Sequence, residues 1–152
     1  MRGSAPGGGD TESIRDKSVI VVDTNVICYR WIASTNSAAA ETALAKDPHW
    51  IAPVLWRSEF RNVLATAIRQ KALTIEAAKE IARKAEATFE RCEFAVSSDA
   101  VLQLVATSSC TAYDCEFVAL AEVQRVPLLT VDRRILQEFP DIAVSLNGFV
   151  RN

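Results

Sequence analysis

The sequence has no long apolar run and only one histidine, His49, among its 152 residues. A membrane-spanning helix needs about 20 consecutive apolar residues, and a secretory signal begins with a charged stretch followed by an apolar one. Neither pattern is present, so we expect a cytoplasmic protein with no membrane partner. The four cysteines show neither CxxC nor Cys/His spacing, which disfavours a zinc site and favours reduced thiols in the core. A Ser–His–Asp triad would have to use His49, and no nucleophile-elbow sequence accompanies it.

An excess of positive charge is also missing. The formal net charge is -2 and the sequence pI is about 5.5, so the chain lacks the overall basic character of many nucleic-acid binders. A nucleic-acid partner would therefore need local basic patches.

Length and composition predict one globular domain. Hydrophobic residues make up 49% of the chain and charged residues 24%, an ordinary balance for a folded protein of this size. The glycine-rich start, MRGSAPGGG, shows no periodicity. We predict that residues 1–17 are a flexible leader or an expression-derived segment, and that residues 18–152 form the domain.

Helical and strand patterns alternate along this domain, which predicts an α/β fold with a mainly parallel sheet. Short apolar runs predict strands at 19–22, 49–52, 92–96, 126–131 and 142–146. Apolar residues at three-and-four spacing predict helices at 25–33, 37–46, 54–71, 75–90, 98–106, 111–124 and 133–139.

Four acidic residues interrupt apolar patterns, where an unpaired carboxylate is costly to bury. Asp23 follows the run VIVV and Asp132 follows LLTV, so both stand at the carboxyl end of a predicted strand, the edge where open parallel sheets bind ligands. Asp114 shares the inward stripe of its helix. Glu59 lies on a largely apolar flank, away from the exposed basic face that carries Arg57. Helix capping is an alternative role for each of the three aspartates, but not for Glu59 in mid-helix.

Clustered carboxylates repel one another unless a cation lies between them. Mg²⁺ and Mn²⁺ prefer oxygen ligands, so one or two such ions would reconcile the four acids with a single shared site. We expect the Asp23 carboxylate to lie within one coordination sphere of Asp114 and near Glu59 and Asp132.

The segments VVDTNVIC, SEFRNVL, TAYDCEFVALAE and LLTVDRRIL resemble, in order, the acidic motifs of PIN-domain ribonucleases, and most closely those of the bacterial VapC toxins. The resemblance spans about residues 19–146. It implies a three-layer α/β/α sandwich, Mg²⁺- or Mn²⁺-dependent endonucleolytic cleavage of RNA, and a small antitoxin partner. It assigns metal binding to Asp23, Glu59, Asp114 and Asp132, and supporting roles to Asn25 and Thr130.

Arg133 and Arg134 directly follow Asp132, which makes them the best-placed residues to hold an RNA backbone. An exposed helix start explains the two arginines equally well. Two other functions stay open: a catalytically silent PIN-like module that binds RNA or protein, and an aspartyl phosphotransferase with Asp23 as nucleophile. Asn25, which stands where a second acid would be needed, disfavours the phosphotransferase.

We also predict a homodimer. Members of the family usually pair, and the tryptophans supply more large apolar surface than a small domain easily buries. These tryptophans are Trp31, Trp50 and Trp56.

Overall fold

The computed structural model describes residues 19–152, and the predicted leader at 1–17 lies outside the described residues. One parallel sheet has the strand order β3-β2-β1-β4-β5, with β1 Val19–Val22, β2 His49–Pro53, β3 Glu93–Phe94, β4 Leu128–Thr130 and β5 Ala143–Ser145. Eight helices lie along this part of the chain: α1 Thr24–Trp31, α2 Ser37–Lys46, α3 Trp56–Arg69, α4 Ile75–Thr88, α5 Ser98–Ala106, α6 Ala112–Gln124, α7 Arg133–Glu138 and α8 Leu146–Arg151. The predicted α/β/α sandwich with a parallel sheet is confirmed.

The order of the strands reverses at β1. This strand lies between β2 and β4, and its Val21 pairs with Ile51 on one side and Leu128 on the other. In open parallel sheets, ligands bind outside the carboxyl ends of the strands at such a reversal. The carboxyl ends of β1 and β4 therefore mark the expected position of a site.

The core lies on both faces of the central strands. Ile20, Val21 and Val22 are fully buried, as expected of a parallel strand covered by helices on each side. Trp56 is also fully buried and Trp50 is only 6% exposed. These two tryptophans therefore do not supply the exposed apolar surface on which the predicted dimer partly rested. Within residues 19–152, no helix is both long enough and apolar enough to cross a bilayer.

The sequence missed one helix, α8. The strand predicted at 142–146 ends at Ser145, and the hydroxyl of Ser145 accepts a hydrogen bond from the Gly148 backbone N–H at 3.0 Å. This bond caps the first turn of α8. A Cβ atom added at Gly148 would lie 2.8 Å from the Ser145 hydroxyl, so the glycine leaves room for the cap.

Helix α3 begins two residues later than the predicted 54, and its first turn is anchored by side chains rather than by a cap. Leu55, the residue before the helix, makes no side-chain capping bond. Arg57 instead donates two hydrogen bonds to the Glu93 carboxylate, at 2.6 and 2.9 Å, and forms an ion pair with Glu86 at 3.1 Å. The Trp56 indole N–H also donates to Glu93, at 2.5 Å. The predicted exposed basic face of α3 is therefore wrong for Arg57, which ties α3 to β3 and α4.

Replacing Glu93 with glutamine should destabilise the protein. Removing the charge weakens the bonds from Arg57 and Trp56, and hydrogen bonds to charged groups contribute about 1.5–3 kcal/mol, so we expect a loss of about 2 kcal/mol in unfolding free energy at pH 7. The Arg57 guanidinium holds the pKa of Glu93 below its usual value. The stability that this carboxylate contributes is therefore fully present above the unfolded pKa of about 4.3 and is lost as the pH falls through the lower folded pKa.

Urea denaturation at pH 7 and at pH 3 tests this prediction. The difference between wild type and Glu93→Gln should be smaller at pH 3, which lies below the unfolded pKa, because the advantage of the charged carboxylate declines as the pH falls. Glu90→Gln is the control, since Glu90 is exposed and lies near the same strand. A difference of equal size at both pH values would contradict the proposed charge pairing.

Candidate active site

Two acids stand at the carboxyl ends of the central strands. Asp23 follows β1 and caps α1: its Oδ1 accepts a hydrogen bond from the Thr24 backbone N–H at 2.8 Å. Asp132 lies two residues beyond β4 and caps α7, accepting from the Ile135 backbone N–H at 3.0 Å. The capping roles considered for these two aspartates are therefore real. Each cap uses one carboxylate oxygen and leaves the other for a further partner.

The second carboxylate oxygen of Asp23 accepts a hydrogen bond from a buried hydroxyl. Thr130, the last residue of β4 and fully buried, donates to Asp23 Oδ2 at 2.6 Å. The Asn25 amide N–H donates to the same oxygen at 3.4 Å. Asn25 and Thr130 thus contact the acid that the sequence predicted them to support.

The other two acids come from helices. Glu59 projects from the first turn of α3, and its Oε1 accepts a hydrogen bond from the Thr24 hydroxyl at 2.6 Å. Asp114 lies in the first turn of α6, where its backbone N–H donates to the capping Thr111 hydroxyl at 3.0 Å. Thr24 is therefore a link between the start of α1 and the α3 acid, since its backbone N–H bonds Asp23 and its hydroxyl bonds Glu59.

One pocket of about 700 Å³ collects these side chains. Its lining includes all four acids, Asp23, Glu59, Asp114 and Asp132, together with Asn25 and Tyr113. The two predicted RNA-binding arginines are exposed and lie outside this lining. Arg134 donates to the Ser109 carbonyl at 3.3 Å, which places it beside the loop that precedes α6.

Burial and mutual repulsion disfavour the charged forms of the acids in this pocket. Burial raises the pKa of Asp23 to about 7, against the hydrogen bonds from Thr130 and Thr24, and the negative charges of Glu59 and Asp114 raise it further. Burial likewise raises the pKa of Glu59 and of Asp114, with added repulsion from Asp114 on Glu59 and from Asp132 on Asp114. Within residues 19–152 none of the four acids forms an ion pair with a lysine or arginine.

The four carboxylates line the pocket without three of them meeting at one point. No three acid, histidine or cysteine side chains of the described chain lie close enough together to hold a metal ion as placed. Repulsion between like charges gives a physical reason, because the carboxylates instead satisfy themselves with hydroxyl and backbone donors. The four acids therefore line one pocket, and the expectation that Asp23 lies within one coordination sphere of Asp114 and near Glu59 and Asp132 stays a prediction.

The donor set still fits a hard divalent cation. It consists of carboxylate oxygens and the side-chain oxygen of Asn25, which is buried and has no hydrogen-bond partner in residues 19–152. Buried acceptors rarely go unpaired. An ion with bound waters would supply both the missing positive charge and the missing donor, and Mg²⁺ and Mn²⁺ favour oxygen ligands.

A family model described as the PIN domain matches residues 20–142, a range that contains all four acids. The chain belongs to the PIN domain family. PIN domains are generally nucleases that use divalent metal ions. The match runs from the second residue of β1 to the residue before β5, so the family assignment covers the sheet reversal and the pocket together.

Two solved structures share the fold of this chain. The crystal structure of PAE2754 from Pyrobaculum aerophilum gives a TM-score of 0.71 at 19% identity, covering 89% of this chain and 96% of that one. A toxin–antitoxin complex from Klebsiella pneumoniae gives a TM-score of 0.63 at 18% identity, covering 84% of this chain and 97% of that one. Identities this low show the shared fold alone. No curated protein gives a significant match to the chain.

Sequence reasoning missed Thr24, which lines this PIN domain pocket, and Glu116, which lies outside its lining. Thr24 stands between Asp23 and Asn25 in the motif, yet its bond to Glu59 crosses 35 positions of the chain and has no local signal. Glu116 is a further acid whose charge raises the pKa of Glu59, while burial raises its own pKa. Because its influence reaches Glu59 on a different helix, the helical pattern around Asp114 could not reveal it.

Proposed function

We propose that this PIN domain is a Mg²⁺- or Mn²⁺-dependent endoribonuclease, and that it is the VapC-type toxin of a toxin–antitoxin pair. One observation carries the nuclease proposal: acids from four separate elements line one pocket, without a paired lysine or arginine among the described residues. A fold that only needed stability would have little reason to gather these charges, because each adds a desolvation and repulsion cost.

The proposed metal ligands are Asp23, Glu59, Asp114 and Asp132, which would hold one or two ions. A bound divalent ion supplies a nucleophilic water at neutral pH and offsets negative charge on the phosphodiester. Thr130 and Thr24 orient the Asp23 and Glu59 carboxylates through bonds of 2.6 Å each. Such supporting hydrogen bonds fix the direction of a ligand oxygen and are commonly worth 10–100-fold in affinity or activity.

In this proposal Arg133 and Arg134 bind the RNA backbone. Both are exposed at the start of α7, directly after Asp132. The bond from Arg134 to the Ser109 carbonyl uses one donor of its guanidinium, which leaves others free to bind phosphate. An acidic pI is compatible with RNA binding in this proposal, because two arginines beside the acidic pocket would hold the RNA as a local basic patch.

Loss of one carboxylate on α3 tests the nuclease proposal. We expect Glu59→Gln to cut single-stranded RNA at least about 100-fold more slowly than wild type across a Mn²⁺ titration, because a ligand should matter at least as much as the groups that orient it. Glu122→Gln is the matched control: it lies on α6 outside the pocket and should cleave like wild type. Equal rates for all three proteins would contradict the assignment of Glu59. RNA binding without cleavage by wild type would instead favour the catalytically silent module.

An antitoxin and a second copy of the chain are the proposed protein partners. The Klebsiella pneumoniae structure with this fold is a toxin–antitoxin complex, which supports a small inhibitory partner for this chain. Leu102 and Val123, 60% and 69% exposed on the packed helices α5 and α6, supply apolar surface for a dimer in place of the buried tryptophans. Co-purification with the product of a neighbouring small reading frame tests the first partner, and light scattering at micromolar concentration tests the second. Monomer mass under that condition would exclude the dimer.

A further inference from the structure

An exposed aromatic ring stands at the rim of the acid pocket. Tyr113 is 61% exposed, lies one residue before Asp114 and lines the same pocket. Within residues 19–152 its hydroxyl makes no hydrogen bond, and its ring forms no aromatic pair or cation–π contact. The ring therefore contributes little to the fold, although a large aromatic side chain usually gains its stabilisation from burial.

The position of this ring is fixed by the helix that carries it. Thr111 caps α6 through the Asp114 backbone N–H at 3.0 Å, and Cys115, Phe117 and Val118 on the following turn are buried in the core. The first turn of α6 is thus anchored at both ends. A tyrosine has only two side-chain torsions, so little conformational entropy is lost when the ring meets a ligand.

Apolar side chains from α3 and the turn before it border the pocket too. Val63, 40% exposed, and the half-buried Leu55 line it together with Tyr113. Acids elsewhere in the pocket repel a phosphate backbone that has no metal beside it, whereas the face of a nucleobase is uncharged and stacks on aromatic rings. The pocket thus combines an acidic part that suits metal-held phosphate with an apolar rim that suits a base.

We propose that Tyr113 stacks against one unpaired base of the RNA next to the phosphate that is cut, and that Val63 packs beside this base. The proposal rests on the proposed nuclease function and adds to it a residue that positions the substrate. A base inside a duplex is already stacked on its neighbours, so only an unpaired or flipped base can meet the ring. Tyr113 would therefore select where along an RNA the pocket can act.

The test measures stacking directly and separately from cleavage. The probe is a short single-stranded RNA that contains one 2-aminopurine, a base whose fluorescence falls when it stacks. Binding is measured in a buffer that contains Ca²⁺. The same RNA in a duplex is the comparison. Loss of one base–aromatic stack weakens binding by about 5- to 150-fold. We expect that loss, together with loss of quenching, for Tyr113→Ala and not for Tyr113→Phe, which keeps the ring. Ile75→Ala removes a similarly exposed apolar side chain outside the pocket and should bind like wild type.

The outcomes separate this proposal from the nuclease proposal. Unchanged binding and quenching in Tyr113→Ala, an equal loss in Tyr113→Phe, or no quenching by wild type would each overturn the stacking role. Wild type that quenches through Tyr113 but cuts no RNA in Mn²⁺ would leave stacking in place and remove the nuclease. If Tyr113→Ala weakens only association with a protein partner, the ring belongs to a protein interface and the stacking proposal fails.

Discussion

Asp23→Asn should make the metal-free protein more stable at pH 8 while it lowers Mn²⁺-dependent cleavage more than about 100-fold. Asp23 is 7% exposed, and burial raises its pKa to about 7. This folded pKa lies above the unfolded value of about 3.9, so the stability contributed by Asp23 is fully present below pH 4 and is lost as the pH rises through 7. At pH 8 the folded protein holds a buried negative charge that asparagine does not carry.

The size of this gain follows from the pKa difference. A difference of roughly three pH units corresponds to about 4 kcal/mol, from which the weakened bonds to Thr24 and Thr130 subtract, so a net gain of about 2 kcal/mol is expected. A group retained for stability would behave in the opposite way, with its removal lowering the unfolding free energy. The opposite signs for stability and activity would therefore mark Asp23 as a residue kept for its chemistry.

Urea denaturation of chelator-treated protein at pH 5 and pH 8 measures the effect. Asp141→Asn is the matched control, because Asp141 is exposed on the turn before β5 and lies outside the acid pocket. The gain in Asp23→Asn should be large at pH 8 and small or reversed at pH 5, where the wild-type carboxyl is largely protonated. A loss of stability at pH 8, or a gain that does not depend on pH, would contradict the argument.

Much of this pocket could be predicted because its positions follow from local pattern and from one rule of topology. The run VIVV identifies a buried strand and places Asp23 at its end, and LLTV does the same for Asp132. Carboxyl ends of neighbouring parallel strands meet at one edge, so the pairing of β1 with β4 brings both acids to that edge, where they line one pocket. Asp114 and Glu59 were found by the smaller signal of a carboxylate on an apolar helix flank.

Contacts between distant side chains could not be predicted in the same way. The bond from Thr24 to Glu59 depends on where α3 packs against α1, which no local pattern contains. The helical pattern predicted an exposed Arg57, yet its guanidinium binds the carboxylate of Glu93 on β3. Trp56 was predicted to add exposed apolar surface, because a count of aromatic residues does not say which of them are buried in the core. Pattern located the acids, and packing decided what each one touches.

Mn²⁺ should stabilise the chelator-treated protein strongly at pH 8 and weakly at pH 5.5. A ligand that binds only the folded state adds about 2.7 kcal/mol at 100 times its dissociation constant, which raises the melting temperature of a domain of this size by about 10 °C. Carboxylates must lose their protons to bind an ion, so protons compete with Mn²⁺ below the Asp23 pKa of about 7. Metal binding should also release protons at pH 6, which calorimetry in two buffers of different ionisation enthalpy detects.

Asp114→Asn separates binding in this pocket from general effects of the ion. Asp114 has a raised pKa and lines the same pocket as Asp23. Its replacement should therefore remove most of the Mn²⁺-dependent stabilisation, whereas the exposed control Asp141→Asn should keep it. Stabilisation of equal size at both pH values would mean that the ion binds groups whose protonation does not change between pH 5.5 and 8. Stabilisation that persists in both Asp114→Asn and Asp23→Asn would place the ion outside the pocket. In either case the four acids would need another explanation, and none of the described contacts supplies one, because hydroxyl and backbone donors leave their negative charges uncompensated.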